Sequence, residues 1–171
     1  ALVLAGVLVV RLVDADDEEP ANGPPPTGGA GDFNPTGYDG AGAESALTEA
    51  SLSSNGDRVI LGFEPSVPAS VDRERSAEPL EGGCGEAAPD PVGEFFVSLR
   101  LDGGVDLSAL GDLGPSGSII TVRSTVGQVR SLTVMCHGAD ETVIAIGLAE
   151  ESLVTVDEIE GRAIVVDLFP A

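Results

Sequence analysis

The sequence predicts an all-β domain: an antiparallel β-sandwich, or a partly open barrel, of about seven to eight short strands preceded by a disordered tether. Three observations predict it. Val and Ile cluster in the C-terminal two thirds of the chain and alternate there with polar residues. Turn residues punctuate that region about every 8–12 positions. Trp is absent and aromatics make up only 4% of the 171 residues, so the core must be built from small branched side chains, which suit a pleated surface.

Residues 1–13, ALVLAGVLVVRLV, are apolar except for Arg11. A helix needs about 20 such residues to span a bilayer. The length fits the h-region of a signal peptide or the outer part of an anchor whose beginning is missing. The acids Asp14, Asp16, Asp17, Glu18 and Glu19 follow at once, as expected where a chain leaves a membrane on the outer side. No Cys follows the apolar run, so a lipobox is not indicated. The competing reading makes residues 1–13 an ordinary strand or helix of the fold.

Residues 14–55 read as an acidic, Gly/Pro-rich flexible tether, because such a composition buries too little apolar surface to offset the entropy of ordering it. Pro24, Pro25 and Pro26 favour a brief polyproline II turn, and Phe33 and Tyr38 are its two aromatic interruptions. Within it, Glu44 to Ala50 is rich in helix formers and is expected to make one or two helical turns.

The β domain is expected over 56–171. DRVILGFE is its first strand, entered through Asn55-Gly56 and left at Pro65. Residues 65–93 read as a long loop with one short strand near Val71. GEFFVSLRL is the second clear strand, with Phe96, Ser98 and Arg100 on one face. After the loop LDGGVDLSALGDLGPSGS come IITVRS, VRSLTVMC, TVIAIGL, LVTVDEI and RAIVVDLF, separated by turns such as Val126-Gly127, Gly138-Ala139-Asp140 and Glu160-Gly161.

The net charge of −21 excludes ordinary nucleic-acid binding, since no basic patch is available to neutralise phosphates. It equally disfavours an anionic membrane surface as a partner of the folded domain. The membrane is expected to be met only through the N-terminal segment. All eight basic residues are Arg. The two cysteines, Cys84 and Cys136, are too few for a structural zinc site with His137 as the single histidine. In an exported chain a Cys84–Cys136 disulfide is the economical reading, two buried thiols the alternative. Closing a loop of about 50 residues would remove roughly 4 kcal/mol of unfolded-chain entropy.

Candidate chemistry is sparse. A catalytic triad needs a histidine base, and His137 follows Cys136 at the end of a strand, where neighbouring side chains point to opposite faces and cannot form a thiolate–imidazolium pair. A strand-end histidine in a turn is the expectation. Carboxylate pairs carry little information in a chain with 29 acids. The acidic run at 14–19 lacks the Gly and the spaced bidentate Glu of a calcium loop. No P-loop, dinucleotide fingerprint or nucleophile elbow occurs. The chain is therefore expected to be no enzyme and to need no cofactor or metal.

Asp57-Arg58-Val59-Ile60, Gly93-Glu94-Phe95-Phe96, Ile146-Gly147-Leu148 and Ile164-Val165-Val166-Asp167, in that order and at similar distances, resemble the AMIN-like domain of actinobacterial secreted proteins and lipoproteins. The resemblance covers about residues 55–169. Departures are the small aliphatics Val143 and Ala145 at positions typically aromatic, and Pro65-Ser66-Val67-Pro68 in place of a Gly-Pro-Tyr turn. The resemblance implies a β-sandwich related to AMIN domains, which target proteins to the cell envelope. It implies a non-catalytic, extracytoplasmic module that binds a cell-wall polymer or an envelope protein. Physics alone nominates Arg58, Arg100, Arg123 and Arg130 as ligand anchors, with pairing to nearby acids as the plainer role. The alternative function is a self-assembling surface subunit that donates residues 1–13 to a neighbour's sheet edge.

Overall fold

The computed structural model describes residues 42–79, 90–111, 117–122 and 127–171, with Thr121 described by its backbone alone. Two five-stranded sheets pack face to face as a β-sandwich. The first sheet contains β1 (Ser45–Leu52), β2 (Arg58–Glu64), β5 (Val105–Asp106), β9 (Ser152–Ile159) and β10 (Ala163–Pro170), in the order β5-β1-β2-β10-β9. The second contains β3 (Val71–Ser76), β4 (Phe95–Asp102), β6 (Ser118–Thr121), β7 (Val129–His137) and β8 (Glu141–Leu148), in the order β3-β4-β8-β7-β6. Among the described residues a 3-10 turn, Ser108–Leu110, follows β5. All described pairings are antiparallel except the short one between β1 and β5.

Alternation explains which residues face inward. Val59, Leu61 and Phe63 of β2 and Ile164, Val166 and Leu168 of β10 meet Val97, Leu99 and Leu101 of β4 and Ile144, Ile146 and Leu148 of β8 in one continuous core. Each such side chain, taken wholly out of water, contributes roughly 1.5–3 kcal/mol. Branched aliphatics fill the space between the sheets, with Phe63 the only aromatic among the largest fully buried side chains.

The stretch from Glu44 to Ala50, expected to be helical and to belong to the tether, instead enters strand β1 at Ser45. Its backbone is paired with β2, from Ala46 opposite Glu64 to Leu52 opposite Val59. A bulge between Leu47 and Glu49 shifts the alternation by one residue, so Leu47 before it and Ala50 and Leu52 after it all reach the core. The period-2 signal is broken at that point, while Ala, Leu and Glu favour helix. Burial of Leu47 at 0% exposure outweighs that local preference. The folded domain therefore begins ahead of residue 55. Residues 1–13, Pro24 to Pro26, Phe33 and Tyr38 lie outside the described residues.

The sheets are pinned at both ends of β7. At its start the carbonyl of Gly56, in the β1–β2 turn, accepts from the N–H groups of Gln128 and Val129, both at 3.1 Å. A Cβ on Gly127 would lie 2.3 Å from the carbonyl oxygen of Asn55, so only glycine lets the turn pack this closely. At the other end His137 and β5 make the connection.

Candidate binding surface

His137, the last residue of β7, is 6% exposed rather than sitting in an open turn. Its Nε2 lies 2.9 Å from the carbonyl oxygen of Val105 in β5. A carbonyl can only accept, so Nε2 carries the proton. The N–H of Val105 in turn donates to Thr142 Oγ1 at 3.2 Å. One imidazole and one hydroxyl thus satisfy both backbone groups of the residue that ties β5 to the second sheet. Burial pushes the His137 pKa below its ordinary value, against the Val105 hydrogen bond and the Asp106 carboxylate, which both raise it. Asp106 is itself held below the usual carboxylate range, chiefly by the N–H of Ser108, which donates to Oδ1 at 2.8 Å. As expected, Cys136 and His137 face opposite ways: Cys136 pairs with Val143 and belongs to a separate cluster with Met135, Val143 and Ala145, whereas His137 pairs with Thr142.

That separate cluster lies on the outer face of the second sheet. In register, Phe96, Gly147 and Ser131 form one row, Ser98, Ala145 and Thr133 the next, and Arg100, Val143 and Cys136 a third. Phe96, Ser98, Ser131, Thr133, Val143, Ala145 and Cys136 are all buried. The chain before β4 crosses this face at Gly147: Ser131 Oγ donates to the Val92 carbonyl at 2.8 Å and accepts from the Val92 N–H at 3.1 Å. A Cβ on Gly147 would come within 2.0 Å of that carbonyl oxygen. Glycine is required for the crossing.

The outer face of the first sheet differs. Phe169 of β10 and Leu153 of β9 are cross-strand neighbours and are 47% and 58% exposed. Ile159, opposite Ala163 on the same face, is 49% exposed. Between them Arg58 makes a two-pronged ion pair with Asp167, its neighbour in register, with Nη2 to Oδ2 at 3.0 Å. This face therefore has an apolar pair, Leu153 and Phe169, at one end and Ile159 at the other, with Thr155, Asp157 and the Arg58–Asp167 pair between them.

Of the four arginines nominated from the sequence, the three described ones, Arg58, Arg100 and Arg130, do not converge. Arg58 is on the outer face of the first sheet, paired as above. Arg100 is on the outer face of the second, where its Nε lies 3.2 Å from Glu141 Oε2. Arg130 turns back on its own strand, its Nη1 donating to the carbonyls of Gly127 and Val129 at 3.0 and 3.2 Å. Arg123 and Cys84 lie outside the described residues. Cys136 is fully buried, its Sγ 3.7 Å from Glu141 Oε1.

Sequence reasoning missed a second pair of cations. Arg73 and Arg75 on β3 oppose Leu99 and Val97, so they point toward the interior side of an edge strand. Arg73 Nη1 donates to the Val156 carbonyl and Arg75 Nη1 to the Ser152 carbonyl, both at 3.3 Å, across the open side of the sandwich. Two shallow clefts flank these bridges, one lined by Phe95, Phe96 and Val154, the other by Val71, Val156 and Ile164. The available signal was the spacing of Arg73 and Arg75 at positions where an alternating strand should bury aliphatics. No group of acids, histidines and cysteines among the described residues is arranged to hold a metal ion. The chain matches no family model, no curated protein and no solved structure.

Proposed function

We propose that this chain is a non-catalytic module of the cell envelope, exported and held near a membrane by its N-terminal segment. It binds neutral wall glycan or an envelope protein through the outer face of its first sheet. The observation that carries this reading is the inequality of the two outer faces. One is filled and buried, while the other keeps Leu153, Ile159 and Phe169 exposed around the Arg58–Asp167 pair. The flat ring of Phe169 beside Leu153, next to a paired guanidinium and carboxylate, offers a sugar both an apolar stacking surface and fixed hydrogen-bonding groups. An anionic polymer is disfavoured by the net charge of −21. The resemblance to AMIN-like domains supports the same reading. So does His137, whose Nε2 is committed to Val105 within the fold.

The reading includes a Cys84–Cys136 disulfide. Cys136 is buried on the outer face of the second sheet, the face that the chain leading into β4 crosses at Val92. That placement suits a bond to a residue of the β3–β4 connection.

Co-sedimentation of the full chain with purified peptidoglycan tests the function. Retention of the wild type, with loss of most of it in the Leu153→Ala/Phe169→Ala double variant and little change in Arg100→Ala, is the expected result. A wild type that stays in the supernatant at every salt concentration, or a double variant retained like the wild type, would overturn it.

A further inference from the structure

We propose that the free edge of β9 is a strand-pairing site for a second copy of this chain, held shut in the monomer by Arg73 and Arg75. A sheet edge presents a row of unpaired N–H and C=O groups that another strand can use, and proteins blunt such edges with inward-pointing charges or very short edge strands. Among the described strands the edges are unequal. β5 has two residues and β6 four, whereas β9 has eight and is paired only to β10. β3, the edge of the facing sheet, is charged at Asp72, Arg73, Glu74 and Arg75.

The arginine bridges fall on the groups that an added strand would need. Ser152 and Val156 are four residues apart and belong to the alternate set on β9 whose carbonyls face away from β10. Arg73 and Arg75 reach those two carbonyls from β3, at positions where the register with Leu99 and Val97 turns their side chains inward. A partner strand and the two guanidiniums compete for the same acceptors.

The occupant follows from charge and register. Chains of net charge −21 repel each other, so a self-pairing has to keep acids apart. Antiparallel pairing of β9 with itself about Thr155 sets Val154 opposite Val156, Leu153 opposite Asp157 and Ser152 opposite Glu158. No acid then faces an acid across the seam. The exposed Leu153 and Ile159 would flank that seam on a continuous ten-stranded sheet. Raising the salt concentration shortens the range of the remaining repulsion and should favour the pair.

Sedimentation equilibrium on the full chain, at low and high salt, tests the proposal with Arg73→Ala/Arg75→Ala against the wild type. The wild type should be monomeric at low salt. The double variant should dimerise with a dissociation constant at least about tenfold lower, more so at high salt. Adding Val154→Pro, which removes a backbone donor from the set facing away from β10 and so spares the β9–β10 ladder, should abolish the gain. A folded double variant no more dimeric than the wild type overturns the proposal, and so does a dimer indifferent to Val154→Pro. A dimer lost when residues 1–13 are deleted overturns it too, by assigning the edge to the N-terminal segment. Should the double variant fail to fold, Thr155→Cys in the otherwise unaltered chain decides. Its own mate lies across the axis, so it should form a cross-linked dimer on oxidation, whereas Asp157→Cys should not. Equal cross-linking of both, or of neither, counts against the register.

Discussion

The imidazole of His137 is buried where its ring nitrogen meets a backbone group that needs a partner. Its Nε2–H meets the Val105 carbonyl, and with Thr142, which accepts from the Val105 N–H, it ties β5 to the second sheet. Leaving that carbonyl without a partner costs about 1–3 kcal/mol. The pH dependence follows from the direction of the shift. Because burial lowers the folded pKa below the unfolded value of about 6.5, the folded state resists protonation. Stability is therefore complete above about pH 6.5 and is lost as pH falls through the folded value. Urea unfolding of the wild type should show a stability loss between pH 7 and 5 that the His137→Gln variant does not show. Parallel curves for the two proteins would remove His137 from the acid response.

At the scale of elements, the β9–β10 hairpin and β1 illustrate opposite balances of local and tertiary preference. The hairpin closes through Glu160 and Gly161, both with positive φ, and the N–H of Arg162 donates to the Ile159 carbonyl at 3.0 Å. Positive φ at both central residues of that four-residue turn is the type I′ pattern, which matches strand twist and prefers Asn-Gly, and with Ile159 opposite Ala163 the connection carries Arg162 as a third residue. Glu160, at φ 53°, pays the Cβ–carbonyl clash that Asn tolerates better. Glu160→Asn should accordingly raise stability by roughly 0.5–1 kcal/mol in denaturant titration. β1 is the reverse case, a strand composed of helix-forming residues and held by pairing with β2 and by Leu47 in the core. Limited proteolysis followed by mass measurement should yield a resistant fragment beginning no later than Ser45. A stable fragment beginning near Asn55 would show that β1 is dispensable. Leu47→Ala should cost about 2–5 kcal/mol, the range for a buried Leu truncation.

For the whole molecule, the sandwich works as a two-sided object. One outer face is buried, with the chain crossing it at Gly147, and the other is open. If Cys84 and Cys136 are joined as proposed, the unfolded, unreduced chain should show no titratable thiol, and Cys136→Ala should lose about 2–4 kcal/mol relative to the oxidised wild type. Two titratable thiols would eliminate the bond. The positions of the arginines carry the more general lesson. Arg58 and Arg100 are each placed beside an acid, the plainer of the two roles read from sequence, while the cations that bridge the sheets, Arg73 and Arg75, were legible only as an oddly charged strand near Val71.

What the sequence by itself determined is the part governed by local alternation and by turn chemistry. The strands around Val59, Val97, Leu132, Ile144 and Ile164, and the turns at Asn55-Gly56 and Glu160-Gly161, follow from period-2 burial and from residues able to adopt positive φ. The class of fold follows from their number and spacing. Tertiary structure decided what local pattern cannot encode. A one-residue bulge made a strand of a helix-like segment. Register placed Arg58, Arg100 and Arg130, the three described among the nominated arginines, so that they share no site. The facing of two sheet edges, far apart in sequence, gave Arg73 and Arg75 their partners. In each case the deciding energy comes from groups brought together by non-local pairing, where burial and hydrogen bonding exceed the few tenths of a kcal/mol per residue that intrinsic propensity supplies.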